Sequence, residues 1–165
     1  MLKPAILHED QLVRKYREAV CDDHFKFYTG TSYRNYNFEV ERNDWSAIQR
    51  VSIDKNGVLI GFMSAYINRE SRVVSSFGIL NFTKKANLIW SIDIIKFIRE
   101  LRDRYNASKF EFVAFVGSDA ECMYRRFIEK HGGNVAGTLR HTAKLIDGEY
   151  YDSTLFEIMR EDMHF

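Results

Sequence analysis

The chain has 165 residues, of which 45% are apolar and 28% charged, as in one globular domain rather than a disordered segment. Its formal net charge of +1 argues against nucleic acid as a partner, because phosphate neutralisation supplies most of that affinity. No apolar run reaches the ~20 residues of a membrane-spanning helix and no secretory signal opens the chain, so we expect a cytoplasmic protein without a membrane partner.

The cysteines and histidines give no pattern for a metal or a thiol nucleophile. Cys21 and Cys122 lie far apart without a Cys-x-x-Cys pair, and we predict both to be free, buried thiols in a reducing compartment. His131 and His141 have no ligand spacing, so no metal is expected. Without repeats or a linker, residues 1–165 are predicted to form a single domain.

The first half of the chain predicts one helix and three strands. Apolar residues at helical spacing indicate a helix over residues 8–21. The following segment is rich in Tyr, Phe and Asn without a dominant period, and we expect it to be irregular or partly helical. Asn56-Gly57 predicts a hairpin turn, since both residues tolerate positive φ. The strands are predicted over residues 45–54, 58–67 and 72–82.

The second half predicts two helices that alternate with strands. Trp90, Phe97 and Leu101 belong to the apolar face of a helix that ends near Asn106. The strand after it should run nearly parallel to the strand before it. Three further strands are predicted over residues 110–116, 135–145 and 151–159, the last two joined by a turn at 147–148.

The helix between these strands has a clear start and end. Ser118-Asp119-Ala120-Glu121 is a capping box, in which Ser118 bonds the third helical amide and Glu121 reaches back. The helix stops at Gly132-Gly133. Its inward positions are predicted to be Ala120, Met123, Phe127 and Ile128. The complete order predicts an α/β protein, a mixed sheet with helices on both faces.

This order resembles the GNAT superfamily of N-acetyltransferases, in particular the branch that acetylates N-termini of ribosomal proteins. The likeness covers about the last two thirds of the chain. It is carried by the Val58-Leu59-Ile60-Gly61 strand, the run from Gly117 through Tyr124 to Gly132-Gly133, Gly137-Thr138-Leu139-Arg140, and the hairpin Asp147-Gly148-Glu149-Tyr150-Tyr151-Asp152. It implies a mostly antiparallel twisted sheet in one acyl-CoA-binding domain.

The resemblance also implies a diphosphate loop for acetyl-CoA, at residues 84–90. The family has glycines there, whereas this chain has none. Backbone amides at a helix start favour an anion, and the lysines add charge, but the same residues also fit an ordinary helix start. The cofactor-binding residues that the resemblance implies are Ile79, Leu80, Lys84, Lys85, Ala86, Asn87, Leu88, Ile89, Gly117, Ala120 and Arg126.

Tyr124 matches the family tyrosine that protonates the departing thiolate. A phenol with a pKa near ~10 stays protonated at neutral pH and can act as a general acid. Packing its ring in the core is the other interpretation. An amine nucleophile also needs a base, and the sequence does not choose among Glu39, Glu41, Asp44, His24 and Glu70. The aromatic region from His24 to Trp45 is expected to shape the acceptor pocket.

Three functions remain open from the sequence. The first is N-acetyl transfer from acetyl-CoA, the cosubstrate, to an amine of a small molecule or protein, with a homodimer possible. The second is a non-catalytic GNAT-like module that has lost efficient CoA binding, which the glycine-free loop motivates. The third is a nucleic-acid or protein-binding module that uses Arg125, Arg126 and Arg140, and the net charge disfavours it.

Overall fold

The computed structural model of the protein describes residues 1–28, 38–45 and 47–164. Each predicted helix and strand begins and ends within about three residues of its predicted bounds, and the structure adds a first short strand that the sequence did not predict. The strands are β1 Leu2–Pro4, β2 Ala47–Ile53, β3 Leu59–Ile67, β4 Val73–Asn81, β5 Lys109–Phe115, β6 Asn134–Lys144 and β7 Tyr150–Met159; the helices are α1 Glu9–Val20, α2 Leu88–Asp103 and α3 Asp119–His131.

The strands form one 7-stranded sheet in the order β1-β2-β3-β4-β5-β7-β6. Every neighbouring pair is antiparallel except β4 and β5, which are parallel as predicted for strands joined through α2. The parallel pair is short: Val73 pairs with Lys109 and Val74 with Phe110, and no later residues of these strands pair. Beyond Val74 the two strands therefore part and leave a gap in the middle of the sheet.

A bulge in β4 lies just after the point where the strands part. Ser76 has a φ of 49°, and the register against β3 shifts between Ser64 and Tyr66. A left-handed residue in a strand inserts an extra position and bends the strand. The bulge therefore falls on the stretch of β4 that has separated from β5.

Two apolar cores cover the two faces of the sheet, which confirms helices on both faces. On one face α1 contributes Leu12 and Tyr16, which pack with Phe62 and Leu80. On the other face α2 and α3 cover the sheet; their buried residues include Phe97, Leu101, Tyr124 and Ile128. Strand β3 is buried along most of its length, because both cores press on it.

Several local predictions are confirmed and some details are wrong. Asn106 has the left-handed conformation expected at the end of α2, with a φ of 54°. Both hairpin turns form, but in each only the glycine has positive φ, Gly57 at 79° and Gly148 at 84°. The turns are therefore of the kind that needs one left-handed residue, rather than the two-residue turn expected at Asn56-Gly57.

Two burial predictions are also wrong. Cys21 and Cys122 are free but exposed, because both side chains lie on the outer faces of their segments. On α3 the buried residues are Ala120, Tyr124 and Ile128, whereas Met123 is 38% exposed. The inward face of α3 is rotated by about one position from the predicted one, so that the tyrosine occupies the core.

Neither membrane-spanning helices nor metal-binding clusters are found in the described ranges. No helix found in them is long and apolar enough to cross a bilayer. The same residues contain no group of three or more His, Cys, Asp or Glu side chains placed to hold a metal ion.

Candidate active site

The parting of β4 and β5 opens a cleft that has two parts. The outer cleft, of about 530 Å³, lies between residues 24–28, the loop before α2 and the start of α3. The inner chamber, of about 250 Å³, lies between β4, β5 and β7. Tyr28, Ile79 and Ala120 line both parts and mark the passage between them. Characteristic residues are Lys85, Asn87, Trp90 and Arg126 in the outer cleft, and Phe27, Phe77, Phe115, Tyr124, Thr142 and Ser153 in the inner chamber.

The loop before α2 presents a run of free main-chain amides to the outer cleft. The Asn87 carboxamide caps the helix by accepting from the Trp90 amide at 3.2 Å, and the Ser91 amide donates to the Asn87 carbonyl. Amides 84–89 donate no hydrogen bond to any residue in the described part of the chain. Unpaired amides at the start of a 16-residue helix, with the helix dipole behind them, suit an anion.

The bulky side chains that follow the loop do not cover these amides. Leu88 is 76% exposed and Ile89 is 40% exposed, whereas the Trp90 ring is buried against Gly61 of β3. Asp93, in the first turns of α2, also faces away from the loop: its carboxylate is 1% exposed and accepts a hydrogen bond from Ser52 at 2.7 Å. Neither bulk nor negative charge therefore opposes an anion at this helix start.

Lys84 gives the loop its shape in place of a glycine. Its φ is 56°, in the left-handed region that costs a residue with a Cβ about 1 kcal/mol. Its ammonium is bound to the Asp22 carboxylate and lies 5.3 Å from the Phe25 ring. The hydrogen bond from Lys84 lowers the pKa of Asp22. Lys84 therefore closes one edge of the outer cleft and is not a free cation.

Two other basic residues remain for an anion. Lys85 and Arg126 line the outer cleft, and neither forms an ion pair with any described residue. Arg125, next to Arg126 on α3, is instead bound to Glu121 at 2.7 Å. Asp119 is the carboxylate among the described residues that line the outer cleft. Lys85 and Arg126 thus make the mouth of the cleft positive.

Tyr124 lies at the wall of the inner chamber, held by other rings. Its ring centroid is 4.8 Å from that of Phe112 and 5.8 Å from that of Phe156. Its hydroxyl makes no hydrogen bond within the described ranges. Burial, with a smaller effect of Tyr28, raises the pKa of Tyr124, so the phenol keeps its proton at all ordinary pH values. The residue can therefore donate a hydrogen bond to a group in the chamber.

The start of α3 is built by the predicted capping box. The Ser118 hydroxyl accepts from the Glu121 amide at 3.2 Å, and the Glu121 carboxylate accepts from the Gly117 amide at 2.9 Å. The Thr154 hydroxyl also donates to Glu121, at 2.6 Å. The bonds from Thr154, Gly117 and Arg125, in that order, lower the pKa of Glu121 to about 2. Glu121 is therefore a fixed anion that positions α3, and not a proton acceptor.

Residues 22–28 form a strap across the cleft, tied at both ends. At one end Asp22 binds Lys84. At the other, Lys26 donates to the Asp147 carboxylate at 2.8 Å and to the Tyr151 hydroxyl at 3.0 Å, which joins the strap to the turn between β6 and β7. These hydrogen bonds from Lys26 and Tyr151 lower the pKa of Asp147 to about 2. The strap fixes the position of the rings that it carries into the cleft.

The candidate bases are not all near the cleft. His24 lines the outer cleft, whereas Glu39, Glu41 and Glu70 are exposed and line neither part. Asp44 is held elsewhere, by Arg50 at 2.8 Å and by the Tyr105 hydroxyl at 2.7 Å. Of the five candidates, His24 is the one that the fold brings to the site.

The fold collects most of the cofactor residues that the resemblance implied. The outer cleft is lined by Ile79, Lys84, Lys85, Ala86, Asn87, Ala120 and Arg126. Leu80 points the other way, into the core under α1, because side chains alternate along a strand. Leu88 and Ile89 offer only their amides, and Gly117 lines a smaller notch beside the strap.

Part of the aromatic region lies at the cleft. His24, Phe25 and Tyr28 line the outer cleft, and Phe27 lines the chamber. Residues 29–37, which belong to the same region, lie outside the described residues. Beyond them, Phe38 packs with Tyr16 and Phe62 in the core, and Trp45 is exposed beside Arg69.

Sequence reasoning did not single out Tyr28 or Ser153. Tyr28 stood in an aromatic-rich segment without a period, so no pattern distinguished it from its neighbours. Ser153 is one of many serines, and only the register of β7 against β5, where it pairs with Phe115, places it in the chamber.

The sheet order, the parted central strands and the cleft define the class of fold: this is the GNAT fold of acetyltransferases. A probable acetyltransferase is similar with a TM-score of 0.71 at 13% identity, over 92% of this chain and 89% of that one. A mutant of the spermidine N-acetyltransferase SpeG from Vibrio cholerae gives a TM-score of 0.60 at 21% identity, over 72% and 69%.

A dodecameric structure of spermidine N-acetyltransferase from Vibrio cholerae is similar to the same degree, with a TM-score of 0.60 at 20% identity over 72% of this chain and 67% of that one. Neither a protein-family model nor a curated protein sequence matches the chain. These identities establish a shared fold, and the expected fold class is confirmed.

Proposed function

We propose that this protein is an N-acetyltransferase that moves an acetyl group from acetyl-CoA directly to an amine. The observation that carries the proposal is the run of unpaired amides 84–89 at the start of α2, beside Lys85 and Arg126. The named acetyltransferases that share the fold support it. The glycine-free loop does not contradict it, because Lys84 adopts the left-handed conformation that a glycine would otherwise supply.

The described residues fit the polar part of coenzyme A. A diphosphate accepts hydrogen bonds from amides 84–89, and Lys85 supplies a cation beside them. Arg126, two turns into α3, is suited to a further phosphate. Ile79 and Ala120 flank the passage toward the chamber and suit an apolar arm. The outer cleft therefore has a charged mouth and an apolar throat.

The chemistry requires little beyond positioning and one proton donor. The acetyl thioester supplies an activated carbonyl carbon. The acceptor nitrogen forms a bond to that carbon as the carbon–sulfur bond breaks; the nitrogen loses one proton, the sulfur gains one, and no electrons change hands. Tyr124, which lines the chamber, donates this proton to the departing sulfur. We assign to His24, which lines the outer cleft but not the chamber, the role of receiving the proton from nitrogen through water.

The acceptor, the location and the assembly belong to this proposal. The acceptor is an amine of a small molecule or a protein, and the N-terminus of a ribosomal protein remains among the choices that the sequence likeness suggests. Two exposed free thiols, Cys21 and Cys122, agree with a reducing compartment such as the cytoplasm. A homodimer is proposed for the assembly, and one similar enzyme is dodecameric.

Calorimetry with acetyl-CoA, followed by a thiol-release assay, tests the proposal. We expect micromolar binding, and release of free CoA when a suitable amine is added. Desulfo-CoA, which keeps the phosphates, is the matched ligand for binding without reaction. No binding of either ligand would contradict the proposal. Binding without release for any amine in a broad panel would favour the non-catalytic module instead.

A further inference from the structure

The inner chamber is lined by rings and hydroxyls and has no charged side chain among its described lining residues. Phe27, Phe77 and Phe115 form much of its apolar wall. The polar groups are the hydroxyls of Tyr28, Tyr124, Thr142 and Ser153. Phe27 and Phe115 lie 6.1 Å apart between ring centroids, and the ties of Lys26 hold Phe27 in place. A volume of about 250 Å³ accommodates a six-membered ring with a short chain.

Carboxylates are missing where a polyamine would need them. Asp119 lines the outer cleft but not the chamber. The segment 29–37, whatever its position, contains neither Asp nor Glu, as its sequence Thr-Gly-Thr-Ser-Tyr-Arg-Asn-Tyr-Asn shows. Burying an ammonium without a partner is costly, so a second or third positive charge on the acceptor would oppose binding.

A second, independent observation is the unpaired, buried hydroxyl of Ser153. It is 1% exposed, and its Oγ is the buried side-chain oxygen or nitrogen that has no hydrogen-bond partner among the described residues. The neighbouring Thr154, on the opposite face of β7, is bonded to Glu121. Buried hydroxyls are rarely left unpaired in folded proteins. A ligand in the chamber with an uncharged polar group would complete this bond.

From these features we infer that the inner chamber is the acceptor site, and that the acceptor is a monoamine on an uncharged, ring-sized apolar body with a hydroxyl or similar group that bonds to Ser153. The inference rests on the proposed function and narrows its substrate class. Acetyl-CoA is the acyl donor, and the protons and bonds balance as described above. Polyamines such as spermidine are excluded as acceptors, because the described lining of the chamber offers no carboxylate for their additional positive charges.

A matched set of amines tests the inference. Phenethylamine and tyramine differ by one phenolic hydroxyl, and spermidine supplies the polyamine. Binding is measured first, by saturation-transfer NMR with desulfo-CoA present, and transfer is then measured by thiol release with acetyl-CoA. We expect both ring amines to bind and react at least about tenfold better than spermidine. Tyramine should exceed phenethylamine by about fivefold, the effect of one hydrogen bond.

Ser153→Ala identifies the hydroxyl that is responsible. In this variant the tyramine advantage should disappear, so that tyramine and phenethylamine bind with similar affinity. An unchanged advantage would overturn the role of Ser153, and a preference for spermidine would overturn the charge argument. Ser71→Ala is the control, because Ser71 is exposed and lines neither part of the cleft, and this variant should keep the tyramine advantage.

Different results would contradict the enzymatic function and the assignment of the chamber. Binding of the ring amines without acetyl transfer would contradict the enzymatic function and leave the assignment of the chamber supported. Transfer to spermidine, with no binding of either ring amine, would support the enzyme and overturn the assignment. Absence of ring-amine binding in the presence of desulfo-CoA overturns the assignment in every case.

Discussion

The ring of Trp90 occupies the space where a side chain on Gly61 would be. An added Cβ at Gly61 would lie 2.4 Å from Trp90 Cζ3 and 2.7 Å from the Leu80 carbonyl oxygen. The indole, 6% exposed, therefore fits against the bare backbone of β3 and anchors the first turn of α2. This contact determines where the loop before α2 presents its amides.

Gly61→Ala should destabilise the protein by about 2 kcal/mol or more, because the new methyl group meets a ring and a main-chain carbonyl that has little room to move. Urea unfolding at pH 7 measures the loss. Gly137→Ala in β6 is the matched control, since a Cβ there meets nothing within 4 Å. Equal stabilities of the two variants would disprove the tight contact.

Lys85→Ala and Arg126→Ala should each weaken CoA binding by about fivefold, because each removes an unpaired cation from the mouth of the outer cleft. The losses should shrink as salt is added, since both side chains are exposed. Calorimetry at low and high salt measures both effects. Lys130→Ala, in the last turn of α3 and away from the cleft, should bind CoA like the unaltered protein. A comparable loss for that control would mean a general effect of net charge.

Tyr124→Phe should lower kcat by about 100-fold and change KM little, because the ring keeps its contacts with Phe112 and Phe156 while the proton donor is lost. Initial rates of thiol release measure the change. Tyr66→Phe, which removes a hydroxyl from a 47% exposed ring, is the control and should retain full activity. An unaltered kcat in Tyr124→Phe would leave Tyr124 with a packing role only.

Protonation of Glu121 should make the protein less stable in acid. Its folded pKa of about 2 lies below its ordinary value of 4.5, so its contribution is complete above pH 4.5 and is lost as pH falls toward 2. Urea unfolding at pH 7, 4 and 3 should show a shallower pH dependence for Glu121→Gln, which is also less stable at pH 7. Glu129→Gln, an exposed site on the same helix, should follow the original profile. Parallel profiles for Glu121→Gln and the original protein would refute this assignment.

Removal of two adjacent hydroxyls of β7 should affect stability to very different extents. Thr154→Val breaks the 2.6 Å bond to Glu121 and should cost about 1.5–3 kcal/mol, as for a hydrogen bond to a charged group. Ser153→Ala removes an unpaired hydroxyl and should change stability by less than about 0.5 kcal/mol. Thermal and urea unfolding measure both. A large loss in Ser153→Ala would reveal a bond that the unliganded fold does not show.

Local signals gave most of the fold. The capping box at Ser118, the left-handed end at Asn106 and the parallel strands around α2 all follow from short-range patterns, and the structure has them. The burial of Tyr124 in place of Met123 was missed, because the rotation of α3 depends on which rings of the sheet it meets.

The site was less accessible to sequence reasoning. A loop without glycine gave no indication that Lys84 would adopt positive φ, and the partner of its side chain, Asp22, lies 62 positions away in the sequence. The ion pair of Lys26 with Asp147 joins residues 121 positions apart, which no local pattern reports. The position of Ser153 in the chamber follows only from the register of β7 against β5.

The brief pairing of β4 with β5 makes the 7-stranded sheet two narrower ribbons, β1 to β4 and β5 with β7 and β6, joined at Val73 and Val74. Few main-chain bonds resist a small opening of one ribbon against the other. A ligand bound between the two ribbons would hold them together and oppose this opening. Amide hydrogen exchange near Ile79 and Ala114 should therefore slow markedly when desulfo-CoA is present, while exchange in β2 stays constant.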